Sequence, residues 1–171
     1  FGESRIPQKN GKVRRVYLEP NTPAAYPPVI NTILNADLIV VGPGSLYTSL
    51  LPNLLVPDIL AAVKASRAFK IFVINIATQD GETSGYGVAE HIQALKDHIG
   101  SGIFDLYLCN NNHVVDLPEG VNWVKQEKPV GKLPIYGADL IEAEHPWRHD
   151  ATKLASVLMN ILYEKTGPLT E

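Results

Sequence analysis

The strongest constraint on the fold is an alternation of short apolar runs with longer amphipathic segments. Four runs rich in β-branched residues predict strands, over residues 13–18, 37–41, 70–75 and 104–109. Each run is almost continuously apolar, as expected of strands that are covered on both faces. One-sided apolar stripes at helical spacing occupy residues 29–34, 57–67, 88–99 and 154–162. The alternation predicts an α/β, Rossmann-like fold with a mostly parallel sheet and helices on both faces.

Residues that commonly begin or end helices support these assignments. Gly100 follows the third apolar stripe and is expected to end that helix, because glycine accepts the backbone angles of a helix C-terminus. Asp150 is a good N-cap for the last helix, since its side chain can accept a hydrogen bond from a free backbone N–H. The pair Gly167-Pro168 is expected to end the last helix.

The stretch between the fourth apolar run and the last helix is less regular. Residues 121–124 and 134–141 are candidates for further strands. The chain contains no internal repeat, linker or low-complexity segment, so we expect a single domain over residues 1–171.

Composition and charge limit the class of function. A formal net charge of −3 provides no basic excess for neutralising a phosphate backbone, so no nucleic-acid polymer is expected as a partner. No apolar stretch approaches the roughly 20 residues that cross a bilayer. The single cysteine, Cys109, cannot form an internal disulfide, which favours a reducing, cytoplasmic location.

Three polar loops are predicted to lie at one edge of the sheet. They follow the second, third and fourth predicted strands, at residues 42–45, 76–85 and 110–113. Ligands of open α/β sheets bind beyond the carboxyl ends of the strands. We therefore expect a ligand site where these loops converge, with Asn110 as one of its members.

The first loop, within "VGPGSLYTS", has the composition of an anion-binding turn. Gly42 and Gly44, on either side of Pro43, permit unusual backbone angles, so that consecutive N–H groups can face one anion. A helix that begins here would add its positive N-terminal partial charge. The alternative is a tight glycine turn in which a serine only caps a helix. Hydroxyl groups that add donors are those of Ser45, Thr48 and Ser49.

The second loop, "NIATQDGET", is longer than most strand-to-helix connections, and such length usually accompanies function. Asn75 and Thr78 are candidates to recognise hydroxyl or amide groups of a ligand. Asp80 and Glu82 are candidates to hold Mg²⁺ together with a bound diphosphate. The alternative is that Thr83 or its neighbour caps the next helix, with the two acidic residues near the helix N-terminus.

Histidines and an arginine elsewhere are weaker candidates. His91 lies near the second loop and shares a helix face with His98, so the alternative is a surface or interface role for both. Arg148 precedes the last helix and could face a phosphate, the alternative being an ordinary surface arginine. His145 and His149 are not expected to bind a metal together, because the intervening proline prevents helical spacing and no further ligand completes the set.

Several motifs resemble those of one known family. They are "ADLIVVGPGSLYTSLLPNLLVPDI", "NIATQDGETSGYGVAEHIQALKDHIG", "NNN" and "RHDATKLA". They look like the YvcK-type gluconeogenesis factors, which belong with CofD, the 2-phospho-L-lactate transferase of deazaflavin coenzyme synthesis. The resemblance covers nearly the whole chain. Gln79 and the stretch Gly81-Glu82-Thr83 favour the gluconeogenesis-factor branch, because the transferase branch shares the glycine turn but lacks this stretch.

The resemblance implies a bacterial, cytoplasmic regulator of carbon metabolism and of cell-wall and cell-shape balance. Its ligand would be a nucleotide sugar such as UDP-N-acetylglucosamine, bound by the loop residues above with Gln79 among them. The alternative is a Mg²⁺-dependent 2-phospho-L-lactate transferase. We also expect a homo-oligomer. The family's Gly-Gly-Gly-Thr-Gly turn is missing from this chain, which we therefore expect to be a C-terminal part of such a protein.

Overall fold

A computed structural model describes residues 13–128 and 130–166. Within them, four parallel strands form one sheet in the order β1-β2-β3-β4. The register pairs Val41 with Phe72, Val73 with Leu108 and Asn110 with Ala138. The strands are β1 Leu38–Val41, β2 Phe69–Val73, β3 Leu106–Asn110 and β4 Ile135–Ala138.

Helices connect the strands and follow the last one, as the apolar stripes predict. They are α1 Pro27–Leu34, α2 Leu51–Leu54, α3 Pro57–Ala65, α4 Val88–Ile99 and α5 Ala151–Thr166, with a π-helical segment at Leu46–Leu50 before α2. Gly100 ends α4 with a φ of 89°, and the Asp150 Oδ1 accepts a hydrogen bond from the Lys153 N–H at 2.9 Å. Both predictions are confirmed. The predicted stop at Gly167-Pro168 lies outside the described residues.

The sheet is covered on both faces, and each face has its own apolar cluster. Successive side chains of a strand point to opposite faces. Phe72 and Ile74 pack on one face with residues of α3 and α4. Ile71 and Val73 pack on the other face with residues of α5. The predicted α/β, Rossmann-like architecture with a parallel sheet between helices is thus confirmed.

Two of the predicted strands are wrong. Residues 13–18 form no strand. Val13 and Val16 instead pack against the cluster on the α4 side, and the Val16 N–H donates to the His98 Nε2 at 3.1 Å. Residues 121–124 form only an isolated antiparallel bridge, between Trp123 and Ala77. An apolar run becomes a strand only where a neighbouring backbone continues the ladder. The candidate at 134–141, in contrast, contains β4.

No single helix among the described residues is long and apolar enough to cross a membrane. The two segments Leu46–Leu54 and Pro57–Ala65, taken together, have the length and composition of a membrane span, but they are bent by 74° relative to each other.

Candidate functional site

A cavity of about 470 Å³ opens at the carboxyl ends of β1 and β2. Its size is typical of sites for small ligands. The first loop, after β1, and the second loop, after β2, meet there with the segment that precedes α5. The lining consists of residues 43–45, 75–79, Val121 and residues 147–149. Two of the three loops predicted to converge therefore do so, whereas the loop after β3 does not reach this cavity.

The two glycines at the start of the first loop are constrained for different reasons. Gly42 has a φ of 105°, and a Cβ on it would lie 2.8 Å from the Val73 carbonyl oxygen. Gly44 has no positive φ, so the expectation of an unusual backbone at Gly44 is wrong. Its constraint is packing instead, because a Cβ there would lie 3.1 Å from the Leu50 Cδ2. Pro43 is exposed at the cavity mouth.

The turn leads directly into the π-helical segment. The Ser45 carbonyl accepts hydrogen bonds from the N–H groups of both Ser49 and Leu50, at 2.9 Å each. The Ser45 hydroxyl does not cap this segment but accepts a bond from the Gln79 Nε2 at 2.8 Å. Ser45 therefore stands at the N-cap position, as the alternative expected, but its side chain joins the first loop to the second instead of capping the segment.

A buried carboxylate forms the second link between these loops. Glu82 is only 6% exposed, and its Oε1 accepts a bond from the Thr48 Oγ1 at 2.8 Å. Its Oε2 accepts a bond from the Tyr47 N–H at 3.3 Å. Glu82 thus supplies the negative charge that the start of a helical segment attracts. Neither Glu82 nor Thr48 lines the cavity, and Ser49 does not line it either.

The two acidic residues of the second loop do not form a joint cation site. Asp80 is exposed, and its Oδ1 accepts bonds from the Gly81 N–H at 2.9 Å and the Ser84 hydroxyl at 3.3 Å. Both oxygens of Glu82 face the first loop instead. Across the described part of the chain, no group of three or more His, Cys, Asp or Glu side chains could hold a metal ion. These residues therefore do not fit the expected Mg²⁺ held between the two carboxylates.

Thr83 braces the second loop from inside. It is fully buried, and its Oγ1 accepts a bond from the Gln79 N–H at 2.9 Å. The Thr83 N–H in turn donates to the Gln79 carbonyl at 2.9 Å. The capping alternative for Thr83 is wrong, because α4 begins at Val88 with Gly87 as its N-cap. Gln79 lines the cavity, and its buried Oε1 has no hydrogen-bond partner among the described residues.

Two further predicted residues of the second loop line the cavity. Thr78 forms two hydrogen bonds with Asn122. The Thr78 N–H donates to the Asn122 carbonyl at 2.8 Å, and the Thr78 Oγ1 accepts from the Asn122 N–H at 3.1 Å. Asn75 is partly exposed, and no hydrogen bond to its side chain is formed within the described residues. Its amide is therefore free to meet a ligand.

The third part of the lining is a closed loop before α5. The Glu142 N–H donates to the Arg148 carbonyl at 3.0 Å, and the Arg148 N–H donates to the His145 carbonyl at 2.8 Å. Ile141 and His149 form an isolated antiparallel bridge at its base. The Arg148 side chain is exposed and forms no ion pair within the described residues. A free guanidinium group therefore stands beside the glycine turn.

Two cavity residues with aromatic side chains were not predicted as candidates from the sequence, and the other unpredicted lining residues, Ile76, Ala77 and Val121, are apolar. His149 was considered only for a metal pair. In the structure, burial lowers its pKa to about 4, against the opposing effect of a hydrogen bond to the Ile74 backbone. The other residue is Trp147, which lines the cavity and is 37% exposed. The signal for both was their position beside Arg148, directly before the N-cap of the last helix.

Two further predicted residues, Asn110 and His91, also do not line the cavity. Asn110 is 4% exposed and holds the turn after β3, where its Oδ1 accepts bonds from the Asn112 and Leu140 N–H groups. His91 is 1% exposed, and its Nδ1 lies 2.8 Å from the Gly87 carbonyl oxygen. Burial lowers the pKa of His91. The surface or interface role expected for His91 is wrong, because this face of α4 packs into the core.

Fold and site together define a Rossmann-like α/β protein with a ligand-sized cavity at the carboxyl ends of its strands. The family described as "2-phospho-L-lactate transferase CofD" matches residues 1–166. The chain therefore belongs to the CofD family, as its motifs indicated.

Curated relatives named "Gluconeogenesis factor" are similar over almost all of this chain. The relative from Halalkalibacterium halodurans is 39% identical over 168 residues, covering 92% of this chain and 52% of the relative. The relative from Bacillus subtilis is 39% identical over 173 residues, covering 95% of this chain and 55% of the relative. The chain spans about half the length of these relatives, in agreement with the expectation that it corresponds to a part of such a protein.

A solved structure confirms the fold. A crystal structure of a protein from Bacillus halodurans superimposes with a TM-score of 0.83 at 37% sequence identity. The match covers 92% of this chain and 54% of the other.

Proposed function

We propose that this chain belongs to a nucleotide-sugar-binding regulator of central carbon metabolism and of cell-wall and cell-shape balance. The observation that carries the proposal is the cavity at the ends of β1 and β2, which combines a glycine turn with the Asn75 amide and the Arg148 guanidinium. Neither of these two side chains is paired within the described residues. The name "Gluconeogenesis factor" of the relatives supports the metabolic part. The nucleotide sugar we expect is UDP-N-acetylglucosamine or a close analogue.

The chemistry of the lining matches the parts of such a ligand. Arg148 offers a cation for a diphosphate, and planar guanidinium groups bind phosphate oxygens with two hydrogen bonds. The Asn75 side chain is partly exposed and forms no hydrogen bond within the described residues, which suits the hydroxyl and acetamido groups of a sugar. A cavity of about 470 Å³ offers the space for a small ligand.

The described residues support binding better than chemistry. An efficient general base needs a pKa near the working pH, whereas burial lowers the pKa of His149, the imidazole at the cavity, to about 4. Asp80 and Glu82 do not line the cavity. We therefore place the regulator first.

The alternative is a Mg²⁺-dependent 2-phospho-L-lactate transferase, the activity named in the description of the matching family. Turnover of a deazaflavin acceptor in the presence of Mg²⁺ would favour the transferase over the regulator. The two loop carboxylates do not fit a joint Mg²⁺ site, so the metal would arrive with the phosphates of the ligand.

Isothermal titration of the purified protein with UDP-N-acetylglucosamine tests the proposal. We expect saturable heat and a rise of the melting temperature, because a ligand that binds only the folded state stabilises it by mass action. Arg148→Ala should weaken binding about 10- to 150-fold, the loss expected for one charge-assisted hydrogen bond. Arg67→Ala is the matched control, since Arg67 is exposed at the opposite end of β2. Absence of both heat and stabilisation would refute the proposal.

We further propose a cytoplasmic location, a single domain over residues 1–171 and a homo-oligomer. Light scattering on the purified protein measures the last of these. A molar mass of a single chain across the micromolar range would contradict it.

A further inference from the structure

An exposed aromatic ring at the cavity has no role in the proposed function. Trp147 is 37% exposed and lines the same cavity as the glycine turn. Tryptophan presents a large apolar ring, and its burial contributes strongly to binding. An indole left open at the rim of a ligand-sized cavity is therefore a candidate contact for a flat, weakly polar part of the ligand.

The ring is held by a loop that is already ordered. Backbone hydrogen bonds join Arg148 to both Glu142 and His145, and the second of these bonds closes the turn that carries Trp147. The rings of His145 and Trp147 meet edge to face, with centroids 5.3 Å apart and an interplanar angle of 82°. Such a contact engages at most one face of the indole, so the other face needs little reorganisation before it can accept a ligand.

We infer that Trp147 is the stacking platform for the heterocyclic base of the ligand, and this inference rests on the proposed function. Arg148 is the next residue along the chain and lines the same cavity. The two side chains thus present a π-surface and a positive charge at one site. A nucleotide carries a flat base and a diphosphate a short distance apart, which is the complementary arrangement. Stacking of bases on aromatic side chains depends little on the identity of the base.

Three probe ligands separate the contribution of the base from that of the rest. UDP-N-acetylglucosamine and UDP contain the base, whereas N-acetylglucosamine 1-phosphate lacks it. We expect Trp147→Ala to weaken both uridine ligands about 5- to 150-fold, the range measured for loss of one base–aromatic stack. Binding of the sugar phosphate should change less than about twofold, because a ligand without a base loses no stacking contact. Trp147→Phe should retain most of the affinity because it keeps a ring.

A matched control and an independent readout protect the test against effects on folding. Tyr163→Ala removes an aromatic side chain that is 45% exposed on α5 and does not line the cavity, so all three affinities should stay unchanged. The sequence contains two tryptophans, so that Trp123→Phe leaves Trp147 as the single tryptophan, whose emission can be excited selectively over that of the tyrosines. Its emission should be quenched by UDP and not by N-acetylglucosamine 1-phosphate.

Each other outcome overturns the inference. Equal losses for all three ligands would mean that the ring only orders the loop. A loss confined to the two ligands with N-acetylglucosamine would mean that it packs against the sugar. Unchanged affinities together with unchanged single-tryptophan emission would place the base elsewhere. If the unsubstituted protein binds none of the ligands, the proposed function itself fails, and that result is distinct from a failure at Trp147.

Discussion

Replacement of Glu82 tests whether the two loops of the site are held together by one buried carboxylate. Its oxygens accept bonds from the Thr48 Oγ1 at 2.8 Å and the Tyr47 N–H at 3.3 Å. Glu82→Ala removes both bonds and leaves the N–H of Tyr47, a residue only 3% exposed, without an acceptor. A bond to a charged group contributes about 1.5–3 kcal/mol. The second contact is long, so we expect a loss of about 2–4 kcal/mol in the free energy of unfolding.

The conservative variant separates the hydrogen bonds from the charge. In Glu82→Gln, the amide oxygen can still accept from the Tyr47 N–H, and the amide nitrogen can donate to the Thr48 hydroxyl, which accepts as well as donates. Only the charge is lost, and we expect a cost of at most about 1 kcal/mol. Because 1 kcal/mol corresponds to about 2–4 °C in a protein of this size, calorimetry should resolve the two variants.

Urea titration followed by circular dichroism gives the free energies directly. The matched control is Asp80→Ala, which removes an exposed carboxylate from the same loop and should cost less than about 1 kcal/mol. A double-mutant cycle with Thr48→Ala isolates the coupling between the two side chains. The reasoning is wrong if Glu82→Ala stays within about 0.5 kcal/mol of the unsubstituted protein, the usual effect at a surface position. It is also wrong if Glu82→Gln is as damaging as Glu82→Ala.

Two further predictions concern the glycine turn and pH. Gly42→Ala should lower the free energy of unfolding by more than about 2 kcal/mol, since strain at positive φ adds to the collision with the Val73 carbonyl. The control is Gly85→Ala, at a φ of 76° with open space around it, which should lower it by about 1 kcal/mol. An equal cost at both positions, measured by urea unfolding, would refute the role of packing. Burial lowers the pKa of His149 to about 4, below the value of about 6.5 in unfolded chains. The neutral form therefore stabilises the folded protein above about pH 6.5, and this contribution is lost as pH falls from there toward 4. His149→Asn should lose less stability between pH 7 and pH 5 than the unsubstituted protein; an identical loss would contradict this assignment.

Local patterns in the sequence determined the elements of the fold and the edge at which the site lies. Helix ends were predictable because the signals at Gly100 and Asp150 act on backbone groups a few residues away. The turn at Gly42 was predictable for the same reason, since the angle it needs is a property of that residue. The strands β1, β2 and β3 were predictable as short apolar runs, because a strand that is buried on both faces is apolar along its whole length.

Only the tertiary structure decided which groups meet across the chain. The run at 13–18 contains β-branched and aromatic residues beside Arg14 and Arg15, but no neighbouring backbone continues a ladder there. Glu82 bonds to Thr48, which lies 34 positions away in the sequence. Glu82 was predicted as a cation ligand, but this contact makes it a link between two loops. Trp147 and Arg148 line the cavity because the loop before α5 lies next to the loop that follows β2. Such contacts depend on packing between distant segments, and no periodicity or spacing in a single sequence encodes their partners.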